Sequence, residues 1–302
     1  MLEAGAALTA ALSVATVFDG LHRHLELFSH FRLQYLGVAL LLAVLFAVIR
    51  SKRYLALMLA TVALNAWYVA PWYQPVDTAS ASGTQFKVLL ANVLASNGEH
   101  GRLSALLTEE RPDFVFLQEV SDSLATELST ITELPHMHIL PRHDNFGIAM
   151  LSRFPLDKVD SVASPPFGYP TIVAAVTLDG QAVTFASTHP MHPLGKVNYE
   201  GRNEQLADIA RVLSSRAGPR LLVGDLNTTM WGASYRELVR STGLRNARSG
   251  FGALPTWPTF FPIALIPIDH CMISDELDVI DIRTGPGIGS DHLPLIVTLS
   301  LD

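Results

Sequence analysis

The sequence contains a single cysteine, Cys271, which excludes an internal disulfide and any cysteine-based metal cluster. It lies in an apolar run, so we expect a small buried side chain there. Charge is scarce at the N-terminal end, because residues 1–84 hold only five Lys/Arg and four Asp/Glu. The remaining residues carry 16 Lys/Arg against 24 Asp/Glu, a formal charge of −8. This acidic balance disfavours tight, processive binding to long duplex DNA, which depends on neutralising phosphates.

Three long stretches near the N-terminus lack any charged residue, and a membrane-spanning helix needs about 17 to 20 such residues. We therefore expect a transmembrane helical region over 1–73, with spans near 4–20, 33–49 and 54–72. A signal peptide is the alternative for the first stretch, but it begins with Glu3 and lacks the basic residues that signal peptides carry. A soluble helical hairpin is the alternative for the other two, which are apolar on all sides rather than on one face.

The orientation of these spans follows from the turn Arg50-Ser51-Lys52-Arg53, whose three cations favour the cytoplasmic side. The expected protein is therefore multi-pass in the inner or plasma membrane, with its N-terminus inside and everything after residue 73 outside. Arg23 and Arg32 weaken this orientation slightly, because they lie in a loop that it places outside. Residues 74–84 (QPVDTASASGT) are typical of a flexible linker leading to a polar domain over 85–302.

In the polar domain, short apolar runs predict strands at 86–91, 114–117, 148–151, 172–176, 183–187, 221–223, 268–273 and 295–299. Apolar residues at helical spacing predict helices at 102–110, 121–132 and 200–216. Several strands follow one another without a helix between them, so the sheets are expected to be mixed. The sequence thus predicts an α/β domain in which two packed mixed β-sheets are flanked by helices.

Polar side chains follow or precede these predicted strands. Glu119 comes directly after a buried strand and, unless a salt bridge compensates it, is typical of a Mg²⁺ or Mn²⁺ ligand. Asn92 ends the first strand and offers an amide oxygen nearby, although asparagine is also common in turns. His189 stands at another strand end, where an isolated histidine is ambiguous.

A second group follows the strand at 221–223. Asp225 and Asn227 lie two residues apart and point the same way in an extended segment, although the pair is also typical of an Asx turn. Asp291 and His292 place an acid beside an imidazole, and Asp269 offers a carboxylate that could fix a ring nitrogen. Several such groups at strand ends of one domain indicate a metal-assisted hydrolytic site.

The chain resembles the endonuclease/exonuclease/phosphatase superfamily, which has the DNase I-like fold. The motifs that carry this resemblance are, in order, Asn92, Gln118-Glu119, Ser152-Arg153, Thr188-His189, Gly224-Asp225-Leu226-Asn227, Ile268-Asp269-His270 and Ser290-Asp291-His292. The apolar N-terminal region and the loop Pro255-Thr256-Trp257-Pro258 are similar to bacterial membrane-anchored members of the YafD type. The resemblance implies a four-layer α/β sandwich and Mg²⁺-dependent (or Mn²⁺-dependent) phosphoester hydrolysis.

By the same resemblance, Glu119 is the principal metal ligand, with Asn92 and Asp291 at or near the metal. Some nucleases of the family carry an active-site tyrosine before the middle strand. This sequence has Asp144-Asn145-Phe146 there, and Asn145 is a candidate to face the substrate.

The resemblance also assigns catalytic roles. Asp225 positions or activates the attacking water, and Asn227 contacts the phosphate. His189 and His292 stabilise the transition state and protonate the leaving oxygen, and Asp269 orients His292.

The expected substrate is a phosphodiester, and nuclease-type hydrolysis is the first expectation. The alternative is a phospholipid or sphingolipid phosphodiesterase or a phosphatase, and a catalytically dead, membrane-tethered binding protein is the less favoured third. Trp257, Phe260 and Phe261 are candidates to stack on a base, to form a lipid-facing wall or to pack in the core. The sequence gives no indication of oligomeric state.

Overall fold

The structure is a computed structural model that describes residues 1–75 and 83–301. Most of the predicted linker, residues 76–82, lies outside the described residues. The N-terminal region consists of helices α1 (Leu2–Ala15), α2 (Arg23–Ser29), α3 (Arg32–Val48) and α4 (Lys52–Val69). A 3₁₀ segment, Thr16–Leu21, follows α1, and a second, Ala70–Tyr73, follows α4.

Helices α3 and α4 form a hairpin against which α1 packs, with Ala39, Phe46 and Met58 in their shared apolar cluster. By length and composition, Leu2–Leu21 and Lys52–Tyr73 are long and apolar enough to cross a membrane. The pair α2 and α3 passes the same test only if its two helices, bent by 62° at the break between them, count as one span. The turn at residues 50–51 lies at the end of the hairpin away from α2, so the N-terminal region has two distinct ends.

The polar domain contains twelve strands among the described residues. They are β1 (Thr84–Asn92), β2 (Phe114–Gln118), β3 (His136–Leu140), β4 (Ile148–Ser152), β5 (Lys158–Ser164), β6 (Tyr169–Leu178), β7 (Gln181–Thr188), β8 (Arg220–Asp225), β9 (Arg245–Asn246), β10 (Asp269–Ile273), β11 (Leu277–Thr284) and β12 (Leu295–Leu301). One sheet has the order β11-β12-β1-β2-β4-β3 and the other β5-β6-β7-β8-β10-β9. Each sheet contains one parallel pair, β1 with β2 and β7 with β8, and is antiparallel elsewhere.

The two sheets pack face to face through large apolar side chains. Phe86, Phe114 and Phe116 of the first sheet surround Phe185 of the second, and the Phe114 and Phe185 ring centroids are 4.4 Å apart. Helices α5 (His100–Glu110) and α6 (Asp122–Leu128) cover the outer face of the first sheet. Helices α7 (Lys196–Ser214) and α8 (Ala233–Thr242) cover the second. The fold is therefore the predicted four-layer α/β sandwich.

The sequence predicted eight of the strands at nearly their observed positions but missed β3, β5, β9 and β11. It also missed α8, and the helix predicted over 121–132 ends at Leu128. Ser121 caps that helix as expected, since its hydroxyl accepts a hydrogen bond from the Leu124 N–H.

The N-terminal region is joined to the polar domain by buried contacts. Val69 packs in the same apolar cluster as α7 and α8. The Glu26 carboxylate accepts a hydrogen bond from Arg202 at 2.9 Å, and Asp19 accepts one from Arg236 at 2.7 Å. Two buried carboxylates of the N-terminal region, Asp19 and Glu26, therefore bind arginines of the polar domain.

Candidate active site

The side chains predicted to act in catalysis meet at one edge of the two sheets. Asn92 and Asp225 are the last residues of β1 and β8, and Glu119 and His189 directly follow β2 and β7. Because β1 and β2 run parallel, as do β7 and β8, these four strand ends lie side by side. This arrangement follows from parallel pairing, which places carboxyl ends at the same sheet edge.

Antiparallel strands bring the remaining residues to the same edge from their opposite ends. Asp269 is the first residue of β10 and is the register partner of Asp225. His292 precedes β12, and its backbone N–H donates to the Ser290 hydroxyl, which in turn donates to the Asn92 carbonyl at 2.8 Å. The Ser290-Asp291-His292 segment is thereby fixed against the end of β1.

The backbone at this edge adopts uncommon conformations. Glu119 and Asn227 have φ values of 63° and 50°, the left-handed region that non-glycine residues rarely occupy. At Gly224 a Cβ atom would lie 1.9 Å from the Thr188 carbonyl oxygen. Only glycine therefore lets the ends of β7 and β8 approach closely enough to bring His189 and Asp225 together.

Asp225 is the centre of the site and is buried. Its Oδ2 atom lies 3.2 Å from Asn92 Nδ2, 3.5 Å from His189 Nε2 and 3.7 Å from His292 Nε2. Its Oδ1 atom accepts a hydrogen bond from the Asn227 backbone N–H at 2.9 Å. Burial alone raises the pKa of this carboxyl, but the hydrogen bond from His189 and the charge of His292 outweigh it and hold the pKa at about 2.

The two histidines form the other half of this charge cluster. His292 Nδ1 lies 2.8 Å from Asp269 Oδ2, so its Nε2 atom remains free to face Asp225. Burial lowers the pKa of His292, but the charge of Asp269 and the hydrogen bond to it prevail and raise the pKa to about 9. The pKa of His189 is also raised, because interaction with Asp225 outweighs the effect of burial. The His292 ring is therefore protonated at neutral pH, and the site also favours the protonated form of His189.

The predicted metal ligands lie beside this cluster. Glu119 Oε1 accepts a hydrogen bond from Asn92 Nδ2 at 3.0 Å, and Glu119 Oε2 accepts one from the Ala95 N–H at 3.1 Å. The Asn92 amide oxygen accepts from the Leu94 N–H, so the amide nitrogen faces the carboxylates. Asp291 Oδ2 accepts from Trp257 Nε1, whereas the buried Asp291 Oδ1 atom has no hydrogen-bond partner among the described residues.

The carboxylates of Glu119 and Asp291 fit a hard divalent cation, because carboxylate oxygens are ligands that such ions prefer. There is a second candidate grouping: ligand atoms of Asp225, Asp269 and His292 lie within 4.8 Å of one another. In that grouping His292 Nδ1 is already hydrogen-bonded to Asp269. The carboxylate of Glu119 and the unpaired Asp291 oxygen are therefore the better ligand candidates.

A cavity of about 440 Å³ opens onto these residues. Of the predicted site residues, Glu119, His189, Asp225, Asn227, Asp291 and His292 line it, whereas Asn92 and Asp269 support them from behind. Asn145, the candidate to face the substrate, also lines the cavity. Phe146 follows it and places its ring 5.2 Å from that of His189 and 3.6 Å from that of Tyr169.

Sequence reasoning missed one whole wall of this cavity, which is formed by Leu27, Phe28, His30 and Phe31 of the N-terminal region. The available signal was three large apolar side chains in a short segment expected to be an aqueous loop. Of the three aromatic candidates, Trp257 lines the cavity. Phe260 and Phe261 are exposed, so core packing is wrong for both.

His270, which belongs to one of the sequence motifs, lies outside the site. Its Nε2–H donates to the Thr228 carbonyl at 2.8 Å, and its Nδ1 accepts from Asn246 Nδ2. The ring is fully buried, and burial lowers its pKa to about 3. His270 therefore supports the loop after β8 as a neutral side chain.

Several solved structures share this fold. An endonuclease/exonuclease/phosphatase from Beutenbergia cavernae DSM 12333 superposes with a TM-score of 0.60 and 21% identity over 72% of each chain. D. rerio TDP2 complexed with a single-strand DNA product superposes with a TM-score of 0.63 and 16% sequence identity. The match covers 72% of this chain and 99% of that chain. The human Nocturnin catalytic domain with bound sulfate superposes with a TM-score of 0.60 and 18% sequence identity. The match covers 72% of this chain and 95% of that chain.

A search among curated proteins finds no match to this chain. The model of the Endonuclease/Exonuclease/phosphatase family, in contrast, matches residues 89–292, which is more than half of the sequence and includes every predicted catalytic and metal-binding residue. The chain therefore belongs to the endonuclease/exonuclease/phosphatase family, whose members are phosphoric ester hydrolases.

Proposed function

We propose that this protein is a membrane-anchored, divalent-metal-dependent phosphodiesterase that cleaves a P–O bond with water. The observation that carries the proposal is the convergence of Asn92, His189 and His292 nitrogens on Asp225 Oδ2, at 3.2 to 3.7 Å, beside a cavity. Phosphodiester hydrolysis needs an oriented water, a proton for the leaving oxygen and positive charge near the non-bridging oxygens.

Asp225 is suited to orient the water rather than to remove its proton fully. A carboxylate with a pKa of about 2 stays ionised at neutral pH and is a weak base, but it remains a strong hydrogen-bond acceptor. The Asn227 N–H holds Oδ1, so the carboxylate plane is fixed and Oδ2 faces the cavity side. A water bound there points a lone pair at a phosphorus atom in line with the leaving oxygen.

The two histidine rings supply hydrogen-bond donors and a proton. His292 Nε2 carries the proton that the leaving oxygen needs, because Asp269 holds the opposite nitrogen and keeps the ring oriented. His189 and Asn227 lie side by side, with Nε2 and Nδ2 3.4 Å apart, and can donate to non-bridging phosphoryl oxygens. Positive charge placed in advance where negative charge develops lowers the barrier without reorganisation.

Glu119 and Asp291 would hold Mg²⁺ or Mn²⁺, and Asn92 lies beside them with its amide nitrogen on the Glu119 carboxylate. When bound, such an ion supplies Lewis-acid stabilisation of phosphoryl oxygens. The placement of an unpaired buried Asp291 oxygen beside the cavity supports this assignment.

The apolar helices support anchoring in the inner or plasma membrane as a multi-pass protein of the YafD type. The structure has α1 and α3/α4 as neighbours, with the cationic turn at residues 50–53 away from the polar domain. Under the positive-inside rule this end is cytoplasmic, and the active site is extracytoplasmic. Arg32, which weakened this assignment, is buried: it donates to the Thr16 carbonyl and lies over the Tyr68 ring.

Two substrate classes are consistent with this chemistry. Nuclease-type hydrolysis is supported by the fold shared with TDP2, a structure of which contains a single-strand DNA product. Lipid phosphodiesters are supported by the apolar wall of the cavity. A dead binding protein is disfavoured, because the hydrolytic residues are all present and converge.

The test is hydrolysis of bis-p-nitrophenyl phosphate by the full chain in detergent with Mg²⁺. We expect turnover that EDTA abolishes and added Mg²⁺ or Mn²⁺ restores. Asp225→Asn should reduce kcat at least 100-fold, while Asp160→Asn, in an exposed pair with Lys158, should not. Glu119→Gln should raise the Mg²⁺ concentration needed for half-maximal activity at least tenfold. Full activity in EDTA, or in Asp225→Asn, would contradict the proposal.

A further inference from the structure

The cavity beside the catalytic cluster is divided into a polar side and an apolar side. Its apolar lining includes Leu27, Phe28 and Phe31 from the N-terminal region and Leu194, Ile266 and Trp257 from the polar domain. Among the described residues no lysine or arginine lines it. Nucleic acids are bound mainly through cations on their phosphates, so this lining suits a substrate whose non-phosphate part is apolar.

The apolar wall contributed by α2 is held firmly in place. Glu26, between the wall residues and the N-terminus of α2, accepts hydrogen bonds from Arg202 at 2.9 Å and from the Tyr199 hydroxyl at 2.7 Å. His30 Nδ1 lies 3.0 Å from the Thr229 hydroxyl, just beyond the catalytic Asn227. The segment that connects two candidate membrane spans is therefore a built part of the active site.

Exposed apolar side chains of the polar domain are concentrated on this side. Among described residues 83–301, the exposed large apolar residues all belong to two short segments: Leu194 and Val197, and Phe260, Phe261 and Ile263. Phe260 is 74% and Ile263 78% exposed. Leu194 lines the cavity itself, so the apolar surface continues from the cavity to the outside.

The second of these segments is attached to a candidate membrane helix. Gln34, in the first turn of α3, donates to the carbonyls of Ile263 at 3.2 Å and Leu265 at 2.8 Å. Phe260, Phe261 and Ile263 therefore lie at the level where α3 leaves the polar domain. Apolar side chains at that level enter the interfacial region of a bilayer that contains the helices.

From this geometry we propose that the substrate is a phospholipid-type phosphodiester taken from the bilayer in which the protein is anchored. The inference rests on the proposed phosphodiesterase activity and specifies its substrate class. The phosphate lies by Asp225 and His292, and the glycerol end follows the wall of Phe28 and Phe31 towards the bilayer. A cavity of about 440 Å³ accommodates a headgroup and glycerol, while the acyl chains remain in the lipid.

The reaction is a hydrolysis that balances without a further reactant. The water oxygen forms a new bond to phosphorus, one phosphorus–oxygen ester bond breaks, and the departing oxygen takes the proton of His292 Nε2. The proton lost by the water returns to the imidazole through solvent. The products are one phosphomonoester and one alcohol.

The experiment uses the full chain in nanodiscs that contain phosphatidylcholine, phosphatidylethanolamine and phosphatidylglycerol, with Mg²⁺. Mass spectrometry and ³¹P NMR detect phosphomonoester formation, and bis-p-nitrophenyl phosphate and single-stranded DNA are assayed in parallel. We expect at least one phospholipid to be hydrolysed. In the Phe260→Ser/Ile263→Ser variant, lipid turnover relative to bis-p-nitrophenyl phosphate turnover should fall at least tenfold. The matched Phe260→Leu/Ile263→Leu variant, which keeps the apolar surface, should retain the wild-type ratio.

The outcomes separate the two proposals. Cleavage of bis-p-nitrophenyl phosphate or DNA with all phospholipids intact overturns the lipid substrate and leaves the phosphodiesterase standing. Lipid cleavage at the wild-type ratio in the serine variant overturns the role of the apolar surface in lipid access. Absence of turnover on every phosphodiester overturns the proposed function itself, and the lipid substrate with it.

Discussion

The two ring nitrogens of His292 have different partners, Asp269 and Asp225. Asp269 binds Nδ1 at 2.8 Å, and Nε2 faces Asp225 from 3.7 Å. The carboxylate fixes which nitrogen faces the substrate and stabilises the protonated ring. If the ring provides the leaving-group proton, its removal should impair catalysis while the fold is kept.

We expect His292→Ala to lower kcat about 100-fold or more, because general acid catalysis contributes roughly that much. Asp269→Asn should give a smaller loss, since the ring remains but its orientation is less constrained. Steady-state hydrolysis of bis-p-nitrophenyl phosphate measures both, and circular dichroism checks the fold. His143→Ala is the control, because that side chain is 95% exposed and does not line the cavity. Equal kcat in His292→Ala and His143→Ala would refute the assignment.

His270 predicts a pH dependence of stability. Its pKa is about 3 in the folded protein because the ring is buried, against an ordinary value of 6.5. Below pH 6.5 the unfolded chain binds a proton that the folded chain does not, so stability falls as pH falls towards 3. Between pH 6 and pH 5 this histidine should contribute a loss of about 1 kcal/mol in the free energy of unfolding.

The difference between wild type and His270→Gln isolates this contribution. Denaturant unfolding of the full chain in detergent should show a smaller loss for the variant over the same pH step. His143→Gln should behave as wild type, because its ring is exposed. A parallel loss in wild type and His270→Gln would mean that the buried ring is not the titrating group.

The residues proposed to act in catalysis were predictable because their positions are fixed by strand ends. Glu119, His189 and Asp225 each follow an apolar run that could be read directly from the sequence. The orientation of the Asn92 amide is set by its hydrogen bonds with the Leu94 N–H and the Glu119 carboxylate. The sequence alone does not show which of the two amide atoms faces Glu119. The wall of Phe28 and Phe31 depends on a long-range contact with the polar domain, and the local run of apolar side chains does not say which surface they pack against.

At the scale of elements, the approach of β7 to β8 is the feature on which the site depends most. Gly224 has φ of 152°, and a Cβ atom there would overlap the Thr188 carbonyl. Gly224→Ala should destabilise the fold by about 3 kcal/mol or more and separate His189 from Asp225, because the clash is with backbone. Thermal unfolding and kcat measure the two effects.

Gly218→Ala is the matched control. Gly218 also has a positive φ, 78°, but its nearest neighbour to a new Cβ is 3.7 Å away. The Gly218→Ala variant should lose only about 1 to 2 kcal/mol in free energy of unfolding and keep its activity. Similar losses in both variants would show that backbone strain, and not strand approach, governs the site.

The four strands that sequence reasoning missed are the four edge strands: β3 and β11 in one sheet, and β5 and β9 in the other. Edge strands are covered on fewer sides and carry polar residues, so they lack the continuous apolar run that marked the central strands. In β5, for example, only Ser164 of Lys158–Ser164 is buried, and the other positions are exposed or partly buried. Each edge strand forms by pairing with the single strand beside it, and this pairing cannot be read from the edge strand's own sequence.

At the scale of the whole molecule, the proposed topology predicts different accessibility of two serines. Ser51 lies in the cationic turn, and Ser215 lies exposed at the C-terminal end of α7. Single Ser215→Cys should react with an impermeant maleimide in spheroplasts, whereas Ser51→Cys should react only after permeabilisation. The native Cys271 is fully buried and should stay unlabelled until the protein is denatured. Labelling of Ser51→Cys alone in intact spheroplasts would reverse the orientation.

The contact between Glu26 and Arg202 connects the N-terminal region to the active site. Both side chains are almost fully buried, and the Arg202 guanidinium also donates to the Asn227 carbonyl at 2.9 Å. Removing one partner of a buried ion pair leaves an uncompensated charge, which costs more than the pair contributes. The loop after β8, which carries the proposed catalytic residue Asn227, therefore depends on a residue supplied by α2.

Glu26→Gln should lower the free energy of unfolding by about 3 to 5 kcal/mol. It should also reduce kcat, because Arg202 no longer holds the Asn227 carbonyl in place. The double variant Glu26→Gln/Arg202→Gln should recover part of the stability, since it leaves no unpaired charge, but not the activity. Glu200→Gln is the control: its pair with Lys196 spans 3.8 Å at the surface, and its loss should cost less than about 1 kcal/mol. If Glu26→Gln cost no more than Glu200→Gln in denaturant unfolding of the full chain, the N-terminal region would be an anchor alone and not part of the catalytic structure.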